Sequence, residues 1–446
     1  MKRAALHNLG CKVNAYETEA MEALLAKDGY TIVPFDEEAD VYVINTCSVT
    51  NMADHKSRQM IHRARKKNPN AVVIAAGCYV QTGLESLKED LSVDIILGNN
   101  KKDELLPELH RFLKDHEREL DVIDVNEGHL NFENLYLTKT AEHTRAFLKV
   151  QDGCDQFCSY CVIPFARGRI RSRSIEEVVS ETRELAKQGY REFVLTGIHL
   201  SSYGMVRYGV PGPYGLQDLI EEVAKVDGVE RVRLGSVEPQ IFTADFIERI
   251  SKVPEFCPHF HLSLQSGCNR TLKSMNRKYT AEEYEETCRL IREAFDHPAI
   301  TTDVIVGFPG ESDADYEESR SFVEKIRFYE LHVFKFSRRK GTKADSMPNQ
   351  IPEETKTVRS RDLIAIGKKM SREYREEILG SEQEILAEEK MEIHGKSYWV
   401  GYTREYVRMA YISDENLQNR LVRGRATSML TDDIVLLDRD TCERVR

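Results

Sequence analysis

Three cysteines stand close together near the middle of the chain, in a CxxxCxxC pattern. They are Cys154, Cys158 and Cys161. A structural zinc site normally needs four ligands, often as paired CxxC steps, and no fourth cysteine or histidine lies nearby in the sequence. An iron–sulfur cube takes one thiolate per iron, so three thiolates leave one iron open to another ligand. The spacing therefore favours an iron–sulfur cluster with an open iron over a structural zinc ion.

Three other cysteines are isolated in sequence, but each falls at or just past the end of a predicted strand. The carboxyl ends of the strands in an open parallel sheet share one edge, where ligands bind. We therefore expect these thiols to converge into a second site, although three separate core cysteines are the structural alternative. They are Cys11, Cys47 and Cys78, with predicted strands at 4–10, 41–47 and 71–78.

The elements that carry the isolated cysteines alternate between strands and helices. A fourth strand is predicted at 94–98, and helical patterns cover 14–28 and 51–67. Strands alternating with helices of this length predict a doubly wound parallel sheet in an α/β domain. We assign this domain to residues 2–115 and treat the polar stretch 116–143 as a linker.

Composition narrows the class of protein. The chain has 446 residues, of which 41% are hydrophobic and 31% charged, as in a globular protein of two to four domains. The net charge of −11 argues against a general nucleic-acid coat protein. No apolar run approaches the ~20 residues that span a bilayer, and no signal peptide is evident, so we expect a cytoplasmic protein without a membrane partner. Four scattered cysteines are expected to be buried small hydrophobic residues: Cys257, Cys268, Cys288 and Cys442.

A second series of strands and helices follows the linker and is assigned to residues 140–370. Six strands with helices between them predict a partial or full parallel barrel, whose site lies at the carboxyl ends of the strands. The predicted strands cover 146–150, 192–197, 231–236, 259–264, 301–307 and 330–336, and the predicted helices 175–188, 215–226, 242–251, 280–295 and 312–327.

Polar or small residues at these strand ends are candidate contacts to a cofactor. Glu238, Gln265 and Ser266 can hydrogen-bond a polar ligand, or can merely satisfy the backbone of their loops. Asp303 lies early in its strand, where a structural role is the alternative. Gly307 begins a turn of small residues that lets the backbone approach a flat ring closely.

The pattern of predicted secondary structure changes in the last part of the chain. Residues 353–379 form a charged helical connector, and short alternating strands then predict a small β-barrel at 375–441. Basic and aromatic residues interleave there and suit RNA binding by charge and stacking, although some of the aromatics must form the barrel core. They are Lys396, Arg404, Arg408, Arg420, Arg423 and Arg425, with Tyr398, Trp399, Tyr402 and Tyr406.

Two other basic segments have two interpretations each. Arg167, Arg169, Arg171 and Arg173 would share one face of an extended segment, where they either neutralise acidic groups of a ligand or form ion pairs with neighbouring helices. The basic helix 51–67 is either a solvated face or a surface that contacts phosphates.

At this point the sequence resembles a known family over nearly its whole length. The cysteine loop resembles that of the radical S-adenosylmethionine superfamily, and the three-part layout resembles the methylthiotransferases, with a C-terminal TRAM domain. The motifs that carry the resemblance are LGCKVNAYE, VINTCSVT, AAGCYVQ, DGCDQFCSYCVIPFARGRIRSR, HLSLQSG and DVIVGFPGE.

The resemblance implies two 4Fe–4S clusters, one for each cysteine triad. One molecule of S-adenosylmethionine, bound at the cluster of the 154–161 loop, is cleaved to a radical that activates a carbon–hydrogen bond of the substrate. Another donates a methyl group to sulfur held at the N-terminal cluster. A reductant such as flavodoxin or ferredoxin is implied as a partner. The sequence identifies no general acid or base.

The substrate is inferred from the segment GCKVNAYE around Cys11. It resembles the branch that modifies carbon 2 of threonylcarbamoyladenosine, in the anticodon loop of tRNA. The branch for isopentenyladenosine has a GCQMN-like segment, and the branch for a ribosomal protein a GCPKN-like one. The alternatives are a ribosomal-protein methylthiotransferase and a non-catalytic, metal-stabilised RNA-binding protein.

Overall fold

The structure is a computed structural model that describes residues 2–127, 130–137 and 144–438. Cys442, predicted to be buried, lies outside these residues, as do the ends of the predicted domains at 140 and 441. Three units follow one another along the chain. They are a parallel sheet, an open barrel of strands and helices, and a closed β-barrel.

The first unit is a six-stranded parallel sheet in the order β2-β1-β3-β4-β5-β6. Helices cover both faces, so the central strands are apolar throughout rather than alternating, as β3 shows with six buried residues in succession. The strands are β1 (Arg3–Asn8), β2 (Thr31–Ile32), β3 (Val41–Thr46), β4 (Val72–Gly77), β5 (Ile95–Leu97) and β6 (Glu119–Asp121). The helices are α1 (Lys12–Lys27), α2 (Asn51–Lys67), α3 (Cys78–Thr82), α4 (Leu84–Glu89) and α5 (Leu105–Asp115).

The doubly wound parallel sheet is as predicted, with two differences at its edges. The short strands β2 and β6 add one strand to each edge. Strand β6 lies within the stretch predicted as a linker, where Leu135 and Leu137 are also buried. Part of that stretch therefore packs against the folded units.

The second unit contains two sheets, β12-β9-β7-β8 and β13-β14-β15, in which only β8 runs antiparallel. Isolated parallel bridges join them, among them Val237 with Leu262. The result is an open barrel with the strand order β7-β9-β12-β13-β14-β15. The strands are β7 (Arg145–Asp152), β8 (Arg171–Ser172), β9 (Glu192–Gly197), β10 (Met205–Arg207), β11 (Val210–Pro211), β12 (Arg231–Leu234), β13 (His259–His261), β14 (Ala299–Val306) and β15 (Glu330–Lys335).

Helices surround this barrel, and the six predicted strands are all present. Several helices begin at a Ser or Thr N-cap, such as Ser174, Thr280 and Ser312, each worth about 1 kcal/mol. The hairpin β10–β11 and the short helices α6 and α10 were not predicted. The helices are α6 (Ile163–Arg167), α7 (Ile175–Lys187), α8 (Leu216–Ala224), α9 (Ala244–Ser251), α10 (Asn269–Ser274), α11 (Ala281–Ala294), α12 (Asp313–Ile326) and α13 (Glu353–Glu377).

Side chains of the open barrel alternate between two environments. Outward-facing residues such as Phe193, Val232 and Phe260 join one large apolar core with the helices. Their neighbours in sequence, such as Glu192 and Arg233, therefore face the barrel interior. This interior is polar.

The third unit is a closed barrel in the order β16-β17-β18-β20-β19, as the alternating pattern predicted. It docks at the amino ends of the open-barrel strands, because Arg231 and Arg233 donate hydrogen bonds to its backbone carbonyls. No helix in the described ranges has the length and apolar character needed to cross a membrane. The strands are β16 (Glu382–Ile393), β17 (Lys396–Tyr402), β18 (Arg408–Tyr411), β19 (Leu421–Met429) and β20 (Val435–Asp438).

Candidate metal centres and cofactor site

The three isolated cysteines lie at the carboxyl edge of the first sheet. Cys11 is the N-cap of α1, Cys47 directly follows β3, and Cys78 is the first residue of α3. Parallel pairing of β1, β3 and β4 brings their carboxyl ends to one edge. An added Cβ on Gly10 would lie 2.9 Å from Cys47 Sγ, so the Cys47 thiol packs against the loop that carries Cys11.

Polar side chains hold this N-terminal triad in place. Asn14 donates to the carbonyls of Leu9 (2.8 Å) and Thr46 (3.0 Å) and so ties the loops before Cys11 and Cys47 together. Arg167, from the second unit, donates through Nε to Cys78 Sγ at 3.2 Å. A charged hydrogen-bond donor directed at a sulfur atom favours the thiolate form, which is the form that binds metal.

The second triad lies on the loop between β7 and α6, at the carboxyl end of β7. Cys154 N donates to Gly168 O at 2.9 Å, and Cys161 N to Cys158 O at 2.9 Å, so both ends of the loop are fixed. Gly153 has φ +75°, and an added Cβ would lie 1.8 Å from Arg169 O, so only glycine fits there. The loop shape depends on this residue.

The two triads face one another across the boundary between the first two units. Helix α3, which begins with Cys78, packs against α6, which follows the second triad. The Cys78 thiol is near enough to Cys161 to contribute to its raised pKa. The fold therefore places two three-thiol sites on opposite sides of one boundary.

A buried ionic network connects the two sides of this boundary. Arg167 pairs with Glu17 of α1 and with Asp152 at the end of β7. Burial alone would raise the pKa of Glu17, but Arg167, Lys102 and Lys149 hold it well below its ordinary value. The network contains three carboxylates and four basic groups and is nearly inaccessible to solvent. Its members are Glu17, Glu133 and Asp152 with Lys102, Lys149, Arg167 and Arg171.

The thiols themselves have the pKa values of buried groups. Burial raises the pKa of Cys161 to about 12 and raises that of Cys154 and of Cys47. These thiols are therefore protonated near neutral pH until a metal replaces the proton. Binding of metal would release protons at both sites.

The distances between the thiols distinguish a site for a cluster from a site for a single zinc ion. Ligand sulfurs of one tetrahedral zinc lie roughly 3.8 Å apart, given Zn–S bonds of about 2.3 Å. Among the described residues, only His261, Asp303 and His332 bring three ligand atoms within 4.8 Å of one another. The described residues of neither cysteine triad meet this limit, so each triad is wider than a single zinc ion requires.

Glu238, one of the predicted cofactor contacts, is buried beside the second triad. It accepts a hydrogen bond from Gln156 Nε2 at 3.2 Å, pairs with Arg277 at 2.7 Å and lies 3.2 Å from His199 Nε2. Burial opposes its ionisation, yet hydrogen bonds and charge from His199 and Arg277 hold its pKa below the ordinary value. Arg277 also donates to Cys158 Sγ at 3.2 Å, so this carboxylate anchors groups that touch the triad.

The next two predicted contacts lie on one tight turn. Gln265 has φ +67°, which is uncommon for a residue with a side chain and occurs most often where the surroundings enforce it. Its backbone pairs with β14. Ser266 is buried, and its Oγ accepts from Cys268 N at 3.2 Å, which is the local structural role given above as the alternative.

The last two predicted contacts differ from each other. Asp303 faces the barrel interior and lies 3.2 Å from His261 Nε2, with 28% of its side chain exposed. Gly307 has φ +72°, and its amide donates to Glu311 Oε1 at 2.9 Å. An added Cβ there would meet the Lys356 side chain at 2.3 Å, so packing explains this glycine.

The four alternating arginines do not share one extended face, since Arg167 ends helix α6 and only Arg171 lies in a strand. Each has a carboxylate partner, which favours the ion-pair interpretation. Arg173 pairs with Glu181 of α7, while Arg169 lies 3.6 Å from Asp155 and packs on the ring of Phe157. Arg171 pairs with Asp152 at 3.4 Å.

Two of the four C-terminal aromatics belong to the barrel core, which was the alternative to a role in RNA stacking. Tyr398 and Trp399 are buried in the closed barrel. Tyr402 and Tyr406 stack on each other with ring centroids 4.4 Å apart and lie against Arg145 of the open barrel. Nothing in the local sequence indicates that Arg145 of another unit lies against these two rings.

Sequence reasoning missed Arg277, His261 and His332, and it did not foresee that Arg167 contacts a thiol. Arg277 also contacts a thiol, and the two histidines face the barrel interior beside Asp303. Alternation within HFHLSL would have placed His261 inward. Nothing in the sequence pairs Arg167 with Cys78, 89 residues away.

Comparison with known proteins agrees with this architecture. Residues 3–98 match the model for uncharacterized protein family UPF0004, and residues 148–323 match the radical SAM superfamily. The chain is 38% identical to "Threonylcarbamoyladenosine tRNA methylthiotransferase MtaB" of Bacillus subtilis over 95% of this chain and 93% of that protein. The chain belongs to the radical S-adenosylmethionine methylthiotransferase family. It is thus an enzyme, a transferase whose cofactors include a 4Fe–4S cluster and S-adenosylmethionine.

Two other relatives and one solved structure complete the comparison. The protein of the same name from Aquifex aeolicus is 40% identical over 89% of this chain and 95% of its own. A "tRNA-2-methylthio-N(6)-dimethylallyladenosine synthase" of Pelotomaculum thermopropionicum is 34% identical over 95% and 94%. The radical S-adenosylmethionine methyltransferase TsrM of Kitasatospora setae shares the fold, with a TM-score of 0.57, 15% identity and 77% of each chain covered.

Proposed function

We propose that this methylthiotransferase acts on tRNA, at carbon 2 of threonylcarbamoyladenosine in the anticodon loop. The observation that carries the proposal is the pair of three-thiol sites that face each other across one boundary. Radical activation of a carbon and delivery of sulfur need two neighbouring centres, and each triad leaves one iron of a cube free for a non-protein ligand. The relatives named for threonylcarbamoyladenosine support the choice of nucleoside.

In this proposal Cys154, Cys158 and Cys161 hold the cluster at which S-adenosylmethionine is cleaved, and Cys11, Cys47 and Cys78 hold a second 4Fe–4S cluster. When bound, the clusters supply one-electron chemistry and a place for the transferred sulfur. Electrons come from a reductant such as flavodoxin or ferredoxin.

The chain's own residues bind and orient the reactants. Glu238, with Arg277 and His199, fixes the wall of the site beside Cys158. Gln265, Ser266 and Asp303 line the carboxyl edge of β13 and β14, where S-adenosylmethionine and the target base would meet. Gly307 keeps the adjoining turn close to that edge. The units 2–115, 140–370 and 375–441 are the proposed methylthiotransferase, radical and TRAM domains.

The test uses anaerobically reconstituted enzyme with S-adenosylmethionine, reductant, sulfide and tRNA carrying either threonylcarbamoyladenosine or isopentenyladenosine. The tRNA is digested and its nucleosides are weighed. A methylthio mass gain on threonylcarbamoyladenosine alone is expected. Gain on isopentenyladenosine alone, or on neither while S-adenosylmethionine is cleaved, refutes the proposed substrate.

Cysteine variants test whether the two triads have the separate roles proposed for them. The wild type should bind about eight irons, and each triple Ala variant about four. Loss of Cys154, Cys158 and Cys161 should abolish cleavage of S-adenosylmethionine, while loss of Cys11, Cys47 and Cys78 should stop only sulfur insertion. Cys288→Ala, which changes a buried cysteine of α11, is the matched control and should keep all the iron.

A further inference from the structure

Three side chains of the second unit converge inside the open barrel. His261 is the last residue of β13, Asp303 lies in β14 and His332 lies in β15. Parallel pairing places Thr301 opposite His261 and Asp303 opposite His332, so the three side chains share one face of adjoining strands. Their neighbours in sequence join the apolar core on the other face, so these three face the interior. Neither histidine has a role in the proposed function.

The ligand atoms of these side chains are close enough to share one metal ion. All lie within 4.8 Å of one another, and His261 Nε2 lies 3.2 Å from Asp303 Oδ2. Two ligand atoms at about 2.1 Å from an ion are about 3.0 Å apart in octahedral and about 3.4 Å apart in tetrahedral coordination, so this pair already has the required separation. His332 is exposed, and its ring therefore has room to turn toward the ion.

The surroundings of the pair favour a metal ion over a simple hydrogen bond between a histidine and a carboxylate. His261 Nδ1 lies 2.9 Å from Thr301 Oγ1, which holds the ring with Nε2 toward Asp303, as the second nitrogen of a metal-bound histidine commonly does. Glu192 and Glu238 of the same barrel are each paired with an arginine. Asp303 has no lysine or arginine partner among the described residues, so its negative charge is left for a cation.

We propose that His261, Asp303 and His332 bind a divalent first-row transition-metal ion, with zinc or ferrous iron as the expected occupant. Two imidazoles and one carboxylate suit these ions, whereas magnesium prefers a shell of oxygen ligands. Three protein ligands leave at least one position of the ion for water or for an oxygen atom of a bound substrate, as in catalytic rather than structural metal sites. The site shares no ligand with either cysteine triad and goes beyond the proposed function.

Zinc binding by the enzyme with its iron–sulfur clusters in place tests this site. Anaerobically reconstituted, oxidised enzyme is dialysed against micromolar zinc and millimolar magnesium, and its zinc and iron are counted by elemental analysis. We expect about one zinc per chain in the wild type, and loss of that zinc without loss of iron in His261→Ala and in Asp303→Asn. His110→Ala is the matched control, because His110 and Asp28 form a surface pair at 2.8 Å that lacks a third ligand among the described residues.

Equal zinc in the wild type and in both ligand variants overturns the site, as does a wild type that binds no zinc. X-ray absorption at the zinc edge of the wild type guards against a variant that fails to fold. Nitrogen and oxygen ligands at about 2.0–2.1 Å are expected, whereas sulfur at about 2.3 Å would assign the zinc to thiols and refute the site. Neither measurement uses tRNA, so failure of the proposed substrate would leave these results unchanged.

Discussion

Glu192 holds the open barrel and the C-terminal barrel together through two buried arginines. It is the first residue of β9 and accepts from Arg233 Nε at 2.7 Å, with Arg231 3.6 Å away. Burial alone would raise its pKa, but Arg233 and Arg231 lower it from 4.5 to about 2. Both arginines also donate to carbonyls of the closed barrel, Arg233 to Thr403 O and Arg231 to Tyr402 O.

The lowered pKa of Glu192 determines how much folding free energy the variant Glu192→Gln is expected to lose. A depression of the pKa from 4.5 to about 2 corresponds to about 3 kcal/mol of folding free energy at pH 7. Because the variant also leaves two arginines buried without their counter-charge, we expect a loss of about 3–5 kcal/mol. The folded-state pKa lies below the unfolded one, so the contribution is present above pH 4.5 and is lost as the pH falls toward 2. It should be about 1.4 kcal/mol smaller at pH 3.5 than at pH 7.

Urea unfolding of cluster-free wild type and variant measures the difference. Trp399, the chain's single tryptophan, lies in the closed barrel and reports its unfolding by fluorescence, while circular dichroism follows the whole chain. Glu230→Gln is the matched control, because Glu230 pairs with Arg191 at 3.2 Å on the surface and should contribute under about 1 kcal/mol. If Glu192→Gln costs no more than this control at pH 7, the structural reasoning is refuted.

Two further predictions concern the thiol sites. Gly153→Ala should lose about four irons, because its Cβ would clash with Arg169 O, while Gly310→Ala, also at positive φ but with open space, should keep the iron content. Iron that stays bound in the first variant would contradict the prediction. Arg167→Lys should lower the reduction potential of the proposed N-terminal cluster by of order 50 mV, because one hydrogen bond to Cys78 is lost. Redox titration followed by electron paramagnetic resonance measures it, and an unchanged potential would show that this hydrogen bond does not tune the cluster.

Much of the site's framework follows from local sequence patterns. Strands that are apolar throughout, such as β3 and β4, predict a sheet covered on both faces, and the cysteine after each then falls at a shared edge. No knowledge of contacts is needed for this step, because the parallel topology alone brings the strand ends together. The same logic predicted the six barrel strands and the closed C-terminal barrel.

Contacts between units could not be predicted in this way. Tyr402 ends β17 and Tyr406 lies in the loop before β18, and both rings lie against Arg145 because another unit docks there. Strand β6 was missed because its three residues, ELD, carry no apolar pattern and pair only at a sheet edge. In both cases tertiary packing, rather than local preference, decides the outcome.

Charged rather than apolar side chains hold the boundary between the two triads, and there is a physical reason for this. An apolar interface tolerates small shifts in register, whereas Arg167 must meet Glu17, Asp152 and Cys78 at once, each at hydrogen-bonding or ion-pair distance. Burying such a network contributes little net stability, but removal of one member leaves its partners unpaired at a cost of about 3–5 kcal/mol. Misalignment of the two units therefore costs much more free energy than the network contributes to their association. The two proposed centres would have to act on one carbon atom, which requires that kind of interface, since a displacement of about 1 Å can cost a hundredfold in rate.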